Sequence, residues 1–115
     1  MHELSIAMRI IDVVEEEVTR HGGRVRAVRL KVGRLSGVDK EALLSAYELA
    51  REDTKLSESA LVVEEVEVTA YCPACAAEKS IASFPELRCP KCGGTTPQIV
   101  HGRELEVVAF EIVEP

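Results

Sequence analysis

The stretch CPACAAEKSIASFPELRCPKC, residues 72–92, holds all four cysteines of the 115-residue chain in the spacing C-x2-C-x13-C-x2-C. The short gap within each pair lets both thiolates reach one ion, and two pairs supply the complete tetrahedral shell of a structural Zn(II) site. Because no coordination position is then left open, such an ion would stabilise the fold and perform no catalysis. The spacing therefore predicts a zinc ribbon whose ligands are Cys72, Cys75, Cys89 and Cys92.

Two other uses of these cysteines remain open from the residues alone. A thioredoxin-like redox site uses one Cys-x-x-Cys at the start of a helix, and iron–sulfur clusters usually show different spacings. The residues directly after the two pairs also differ: Gly93 and Gly94 after the second pair permit a tight turn, whereas Ala76 and Ala77 come after the first. We favour zinc, and we expect the missing glycine to affect the geometry of the first turn but not the ligation.

The composition changes around this stretch, because residues 71–100 contain the four cysteines and four of the five prolines. This segment has few apolar residues from which to build a core of its own, so a bound metal would supply much of its folding energy. We therefore predict a zinc-ribbon domain over 71–100, inserted into a larger domain formed by residues 1–70 and 101–115.

Hydrophobic residues at three- and four-residue steps predict two helices in the larger domain. The first covers 4–19, and its buried side is expected to be Leu4, Ala7, Met8, Ile11, Val14 and Val18. The second covers 39–51 and is capped by Asp39 or Ser36. Its buried side is expected to be Ala42, Leu43, Ala46, Tyr47 and Ala50.

Alternating apolar and polar residues predict three strands, over 24–35, 60–70 and 103–114. In the last of these, Val108, Phe110 and Ile112 are expected to share one face. The predicted fold class is therefore α/β, with two helices packed on a small, mostly three-stranded sheet and an inserted zinc-ribbon module.

The overall composition excludes several classes of protein. The formal net charge is −6 and aromatic residues make up only 3% of the chain, which argues against a general nucleic-acid binder. No apolar run approaches the length of a membrane span, and the start of the chain lacks a signal-peptide pattern. We therefore predict a cytoplasmic protein without membrane or nucleic-acid partners. In the reducing cytoplasm, cysteines serve more often as metal ligands than in disulfides.

The first three residues, Met1, His2 and Glu3, offer a second set of metal donors. The α-amine, the next backbone amide nitrogen and the His2 Nδ1 atom can close two adjacent chelate rings in one plane. A fourth position is left for the Glu3 amide, a carboxylate, water or an incoming ligand. Planar nitrogen coordination suits Ni(II) or Cu(II) and does not suit Zn(II). The competing interpretation is a frayed terminus with a chance histidine.

The remaining histidines carry weaker signals, and no catalytic constellation is recognisable. His21 precedes two glycines and is expected to be a cation at the end of the first helix. His101 follows the ribbon and is expected to be a solvated hairpin residue, with a nickel ligand as the alternative. Since no catalytic triad, phosphate-binding glycine loop or convergent carboxylate pair is present, we predict that the protein is not an enzyme.

Taken together, the start MHELSIA, the motifs CPAC and CPKCGG, and GRELEV near the end resemble the hydrogenase nickel-incorporation protein (HypA) family. The segment VGRLSGVDKEAL (32–43) is also similar to the strand–loop–helix segment of that family, and the resemblance covers essentially the whole chain. It implies that the Met1 amine, His2 and the Glu3 backbone bind nickel, while Cys72, Cys75, Cys89 and Cys92 bind zinc.

The resemblance implies a nickel metallochaperone that binds Ni(II) and delivers it during maturation of [NiFe]-hydrogenase, and of urease in some members. The implied partners are a HypB-like nickel-handling GTPase, the hydrogenase large subunit and, for some members, urease accessory proteins; the chain itself is expected to be a monomer or weak homodimer. The alternative function is a zinc-ribbon adaptor in transcription or RNA processing, and a thiol oxidoreductase is a weaker third.

Overall fold

The computed structural model describes residues 2–82, 86–96 and 98–113. In chain order its elements are α1 (His2–His21), β1 (Arg24–Gly33), α2 (Lys40–Ala50), β2 (Ala60–Val66), β3 (Thr69–Cys72), β4 (Ala77–Ser80), β5 (Gln98–His101) and β6 (Leu105–Val113). They form two three-stranded sheets with the strand orders β2-β1-β6 and β4-β3-β5. The predicted α/β class is confirmed. Neither helix in these residues is long and apolar enough to cross a membrane.

The chain divides into two compact units, which we call unit one and unit two. Unit one comprises Met1–Leu30, Val38–Glu64 and Glu106–Pro115, and unit two comprises Lys31–Gly37 and Glu65–Leu105. Unit one contains both helices, which pack against each other. The predicted ribbon segment, residues 71–100, lies within the limits of unit two.

Helix α1 buries a slightly different side from the predicted one. Its buried residues are Glu3, Ala7, Ile10, Ile11, Val14 and Val18. Leu4 and Met8 are 44% and 53% exposed, so their predicted burial is wrong. The buried stripe is centred between Ile10 and Val14, which leaves Leu4 and Met8 at its edge. The helix ends where Gly22 adopts a φ of 82° and its N–H donates to the Val18 carbonyl at 2.8 Å.

Helix α2 begins as predicted, with Asp39 as its N-cap. The Asp39 side chain accepts a hydrogen bond from the Ala42 N–H at 3.1 Å, which satisfies one of the donors left open in the first turn. Leu43 and Tyr47 form the buried side of the helix, while Ala42 is exposed, contrary to prediction. A stripe of two large residues is therefore enough to dock this short helix.

The predicted strand over 60–70 is wrong as a single element, because it divides into β2 and β3, which belong to different sheets. Their backbone partners explain the division. The Val66 carbonyl accepts from the Arg34 N–H at 3.1 Å, whereas the Val68 carbonyl accepts from the Ile81 N–H at 2.9 Å. Strand β6 lies at the edge of its sheet, and Val108 there is 44% exposed, so it is not part of a buried face.

The described residues of unit two include a small apolar cluster. Val68, Ala70 and Ile81 are buried in it, and Leu35 and Leu87 pack against them while partly exposed. Leu87 has a φ of 53°, in the left-handed region that side chains disfavour, and its carbonyl accepts hydrogen bonds from the backbone N–H and the side chain of Thr96. So small a cluster is consistent with a unit that depends on a metal for much of its stability.

A buried hydrogen-bond network fixes the connection after α2 in unit one. The Tyr47 hydroxyl lies 2.5 Å from the Ser59 Oγ, which itself donates to the Leu56 carbonyl at 2.6 Å. The Arg51 guanidinium donates to the Ser59 carbonyl. Because Ser59 Oγ uses its proton on Leu56, the Tyr47 hydroxyl is the donor in their pair. Burial raises the pKa of Tyr47 above its ordinary value of 10.0, which keeps that proton in place.

Replacement of Tyr47 by phenylalanine is expected to destabilise unit one by about 1 kcal/mol, since it removes one buried hydrogen bond but keeps the ring. Urea unfolding followed by the far-ultraviolet circular dichroism of the helices measures this change. Tyr71→Phe is the matched control, because Tyr71 is exposed and lies in unit two. Equal midpoints for the two variants would contradict a stabilising role for the network.

Candidate metal centre

The four cysteines come together as the spacing predicts. Cys72 ends β3, and the four Sγ atoms all lie within 4.8 Å of one another. The Cys72 and Cys92 sulfurs are 3.5 Å apart, and those of Cys75 and Cys89 are 3.9 Å apart. A tetrahedral ion about 2.3 Å from each sulfur requires sulfur–sulfur distances of about 3.8 Å. This cysteine cluster therefore has the size of a four-sulfur zinc site.

The two turns of the cluster share a left-handed residue directly after each cysteine pair but close with different hydrogen bonds. The residue after each pair has a left-handed φ, 53° at Ala76 and 72° at Gly93. The Gly93 N–H donates to the Cys89 carbonyl at 2.9 Å, and the Ala76 N–H donates to the Pro73 carbonyl at 3.3 Å. The first turn thus forms without a glycine, but an alanine in this region is strained.

We expect Ala76→Gly to stabilise the metal-bound cluster by about 1 kcal/mol and Gly93→Ala to destabilise it by a similar amount. A Cβ atom at Gly93 would meet no other atom within 4 Å, so the second change tests backbone conformation alone. Because metal binding and folding are coupled, each change should alter zinc affinity by about fivefold in opposite directions, measured by competition with a chelator. Unchanged affinity in both variants would contradict the assigned turn conformations.

Backbone donors and neighbouring thiols give the cysteines unequal acidities. The backbone N–H groups of Cys92 and Lys91 hydrogen-bond to the Cys89 sulfur and lower the pKa of that thiol to about 6. The pKa of Cys75 is raised to about 12, first by hydrogen bonding to Cys72 and then by burial. Four thiolates this close repel one another, so full ionisation needs a cation among them. The cluster is therefore electrostatically suited to a divalent metal.

Of the predicted N-terminal donors, the structure describes His2 and Glu3, while Met1 lies outside the described residues. The His2 side chain is 65% exposed, and its Nε2 atom lies 4.0 Å from the Glu3 Oε2 atom. This contact involves Nε2, whereas the predicted chelate uses the other ring nitrogen, Nδ1. The backbone N–H groups of His2 and Glu3 lie in the first turn of α1, where no preceding helical carbonyl can accept from them.

Glu3 has a structural role that the sequence did not indicate. It is almost fully buried, and its Oε2 atom accepts a hydrogen bond from the Asp39 backbone N–H at 3.2 Å. The carboxylate therefore ties the start of α1 to the start of α2 within unit one. A long-range contact of this kind has no local sequence signal, apart from an acidic residue placed on the buried side of the helix.

The other two histidines differ in their surroundings. His21 lies in the last turn of α1, with its Nε2 atom 3.8 Å from a Glu17 oxygen. His101 is not part of the cysteine cluster; it lies at the end of β5, with its Nδ1 atom 3.1 Å from Glu104 and its Nε2 atom 4.0 Å from Glu78. Hydrogen bonds from the backbone N–H groups of Glu104 and Gly102 lower the pKa of the Glu104 carboxyl.

Comparison of the fold with solved structures gives two close matches. One is described as the solution structure of HypA protein, with a TM-score of 0.72 at 23% sequence identity, covering 100% of this chain and 98% of that one. The other is described as the solution structure of the Ni metallochaperone HypA from Helicobacter pylori, with a TM-score of 0.67 at 23% identity and full coverage of both chains. At this level of identity the matches establish the fold.

Relatives found by sequence comparison have a higher sequence identity to this chain than the two solved structures do. The hydrogenase maturation factor HypA of Chloroflexus aurantiacus is 44% identical over 112 residues, covering 96% of this chain and 98% of that protein. The protein of the same name from Chlorobaculum parvum is 41% identical over 113 residues, covering 97% and 99%. A family model described as hydrogenase/urease nickel incorporation, metallochaperone, hypA, matches residues 1–112. The chain therefore belongs to the HypA family of nickel-incorporation metallochaperones, which are maturation factors and not enzymes.

Proposed function

We propose that the protein binds Ni(II) at its N-terminus and delivers it to [NiFe]-hydrogenase during maturation, while zinc in the cysteine cluster holds unit two together. The observation that carries this proposal is the family match, which begins at the first residue and includes both His2 and the four cysteines. The curated relatives named hydrogenase maturation factor support hydrogenase as the recipient. Delivery of nickel to urease is a further proposal, which the description of the family model supports.

Nickel is the cargo in this proposal, and the N-terminal residues are its carriers. The amine of Met1, the His2 Nδ1 atom and backbone nitrogens up to Glu3 would bind it in one plane. Since the His2 side chain is mostly exposed, the ion can be loaded from solvent and passed to a recipient without opening the fold. A site formed by consecutive residues at one end of a helix also leaves one side of the metal accessible to incoming donors.

The Glu3 carboxylate has an anchoring role in this proposal and does not bind the metal. Its hydrogen bond to the Asp39 N–H and its burial hold the start of α1 in place. The adjacent nickel donors are then attached to a fixed element, which reduces the conformational entropy lost when they close around the ion.

Zinc is the resident metal, and Cys72, Cys75, Cys89 and Cys92 would hold it. When bound, it supplies charge neutralisation to four close thiolates and a cross-link between the two turns. The backbone N–H groups that lower the pKa of Cys89 would stabilise the thiolate form that the metal requires. With four sulfur ligands the ion has no open position, so its role is structural.

Delivery requires protein partners, for which we propose a HypB-like nickel-handling GTPase and the hydrogenase large subunit. The cytoplasm is the proposed compartment, since a reducing environment keeps the cysteines available as metal ligands. Both partners are expected to approach the exposed His2 end of α1, because that is where the cargo would be held.

The test of this function is transfer of radiolabelled nickel from the zinc-loaded chain to the metal-free hydrogenase large subunit in the presence of the GTPase. We expect the wild-type chain to raise the nickel content of the large subunit, and His2→Ala to fail to do so. His21→Ala, which removes an exposed histidine at the other end of the same helix, should transfer nickel normally. Equal transfer by all three chains would refute the proposed delivery site.

A further inference from the structure

The second sheet carries a group of polar side chains on the face opposite its core. In β3, Ala70 and Cys72 are buried, while Tyr71 is exposed on the other face. The register pairs Tyr71 with Glu78 of β4 and, after a register shift between Thr69 and Ala70, Thr69 with His101 of β5. Directly opposed residues share a face of a sheet. Glu78 and His101 therefore meet across β3, with the His101 Nε2 atom 4.0 Å from the Glu78 Oε2 atom.

His101 is oriented by a second carboxylate. Its Nδ1 atom lies 3.1 Å from the Glu104 Oε2 atom, and the other oxygen of Glu104 accepts from the Gly102 N–H at 2.8 Å. A carboxylate that is itself fixed and accepts from Nδ1–H selects the tautomer whose lone pair is on Nε2. In that tautomer Nε2 would be free to bind a cation beside the Glu78 carboxylate, as in sites where histidine binds a metal through one nitrogen and a carboxylate orients the other.

A third group on this face lacks a partner. The hydroxyl oxygen of Thr69, the residue paired with His101, is buried and makes no hydrogen bond within the parts of the chain that the structure describes. An unpaired buried hydroxyl is unfavourable, so contacts among the described residues do not fully satisfy this part of β3.

We propose that Glu78 and His101 form a second site for a divalent transition-metal ion such as Ni(II) or Zn(II), with Glu104 as the positioning residue. Metal–nitrogen and metal–oxygen bonds of about 2.1 Å span up to about 4.2 Å between the two donors, so the observed gap of 4.0 Å accommodates an ion after small side-chain adjustments. Water fills the remaining positions, which makes the site weak and rapidly exchanging. The site uses neither the N-terminal residues nor the cysteines, so it does not depend on the proposed function.

The test is a Ni(II) titration of the full-length, zinc-loaded chain with His2→Ala, followed by NMR. Six-coordinate Ni(II) is paramagnetic, so we expect selective broadening of signals from His101, Glu78 and Thr69. Both His101→Ala and His101→Gln should abolish this effect. Glu104→Gln should weaken binding about tenfold and alter the apo imidazole nitrogen shifts that report the tautomer, which a purely structural role would not do.

His21→Ala is the matched control, since His21 is also exposed beside one carboxylate oxygen at 3.8 Å but has no second carboxylate contact within 4.0 Å among the described residues. This variant should leave the broadening at His101 unchanged. Broadening of equal strength at His21 and His101, or binding that persists in both His101 variants with zinc content intact, would overturn the proposal.

Discussion

Removal of the metal from the cysteine cluster is expected to unfold unit two while the helices of unit one remain folded. Among the described residues of unit two, one small apolar cluster buries Val68, Ala70 and Ile81, with Leu35 and Leu87 partly buried against it. Structural zinc contributes about 10–16 kcal/mol of binding free energy in small zinc domains, which is as large as the net stability of a typical whole domain. The loss of that contribution leaves too little burial to offset the chain entropy of this unit.

Amide hydrogen exchange together with zinc analysis measures this effect. We expect the wild-type chain to contain about one zinc per chain. Cys75→Ser should lose the zinc and the exchange protection of β3, β4 and β5, whereas α1 and α2 keep theirs. Ala77→Ser, a serine substitution two residues away, should retain both metal and protection. Full protection of β3 to β5 in a metal-free chain would contradict a metal-dependent fold.

The second large effect is expected at the N-terminus, where His2→Ala should reduce Ni(II) affinity by about 100-fold or more, corresponding to about 2.7 kcal/mol. The substitution removes the imidazole that closes the second chelate ring. An N-terminal extension should have a similar effect, because it converts the Met1 amine to a peptide amide. The new terminal amine then lies farther from His2. Neither change touches the cysteine cluster, so zinc content should remain the same.

Glu3→Gln separates the two roles that this residue could have. If its backbone, and not its side chain, contributes to nickel binding, the variant should keep most of its nickel affinity and lose some stability, because glutamine is a weaker acceptor for the Asp39 N–H. Calorimetric titration of His2→Ala, Glu3→Gln and His21→Ala with Ni(II) gives the comparison. Nickel affinity lost in Glu3→Gln but retained in His2→Ala would reverse the assignment.

Features with a local cause were predictable from the sequence. The Asp39 cap depends on a residue three positions away, and the cysteine cluster depends on the intrinsic reach of two Cys-x-x-Cys pairs. The division of 60–70 into β2 and β3 was not predictable, because alternation continues through Val66 and Val68 while their carbonyls bond to different strands. The strand to which each of these carbonyls bonds is decided by tertiary pairing, which residue patterns do not encode.

The same distinction applies to the candidate sites. His2 and Glu3 are neighbours in sequence, so their donors could be identified without a structure. The burial of Glu3 against the Asp39 backbone could not be, since it depends on how α1 packs on α2. His101 was expected to be a solvated hairpin residue, and its contact with Glu78 depends on strand register across β3. Contacts between different elements require the fold before they can be found.

Titration of the untagged, zinc-loaded chain with Ni(II), followed by visible absorption and NMR, tests the central claim of a planar N-terminal nickel site most directly. We expect the first equivalent to produce the absorption of planar nitrogen-coordinated Ni(II). Because planar Ni(II) is diamagnetic, signals from the first turn of α1 should shift and stay sharp. A first equivalent that gives octahedral absorption and paramagnetic broadening, or that leaves the signals of His2 and Glu3 unchanged, would contradict the planar site.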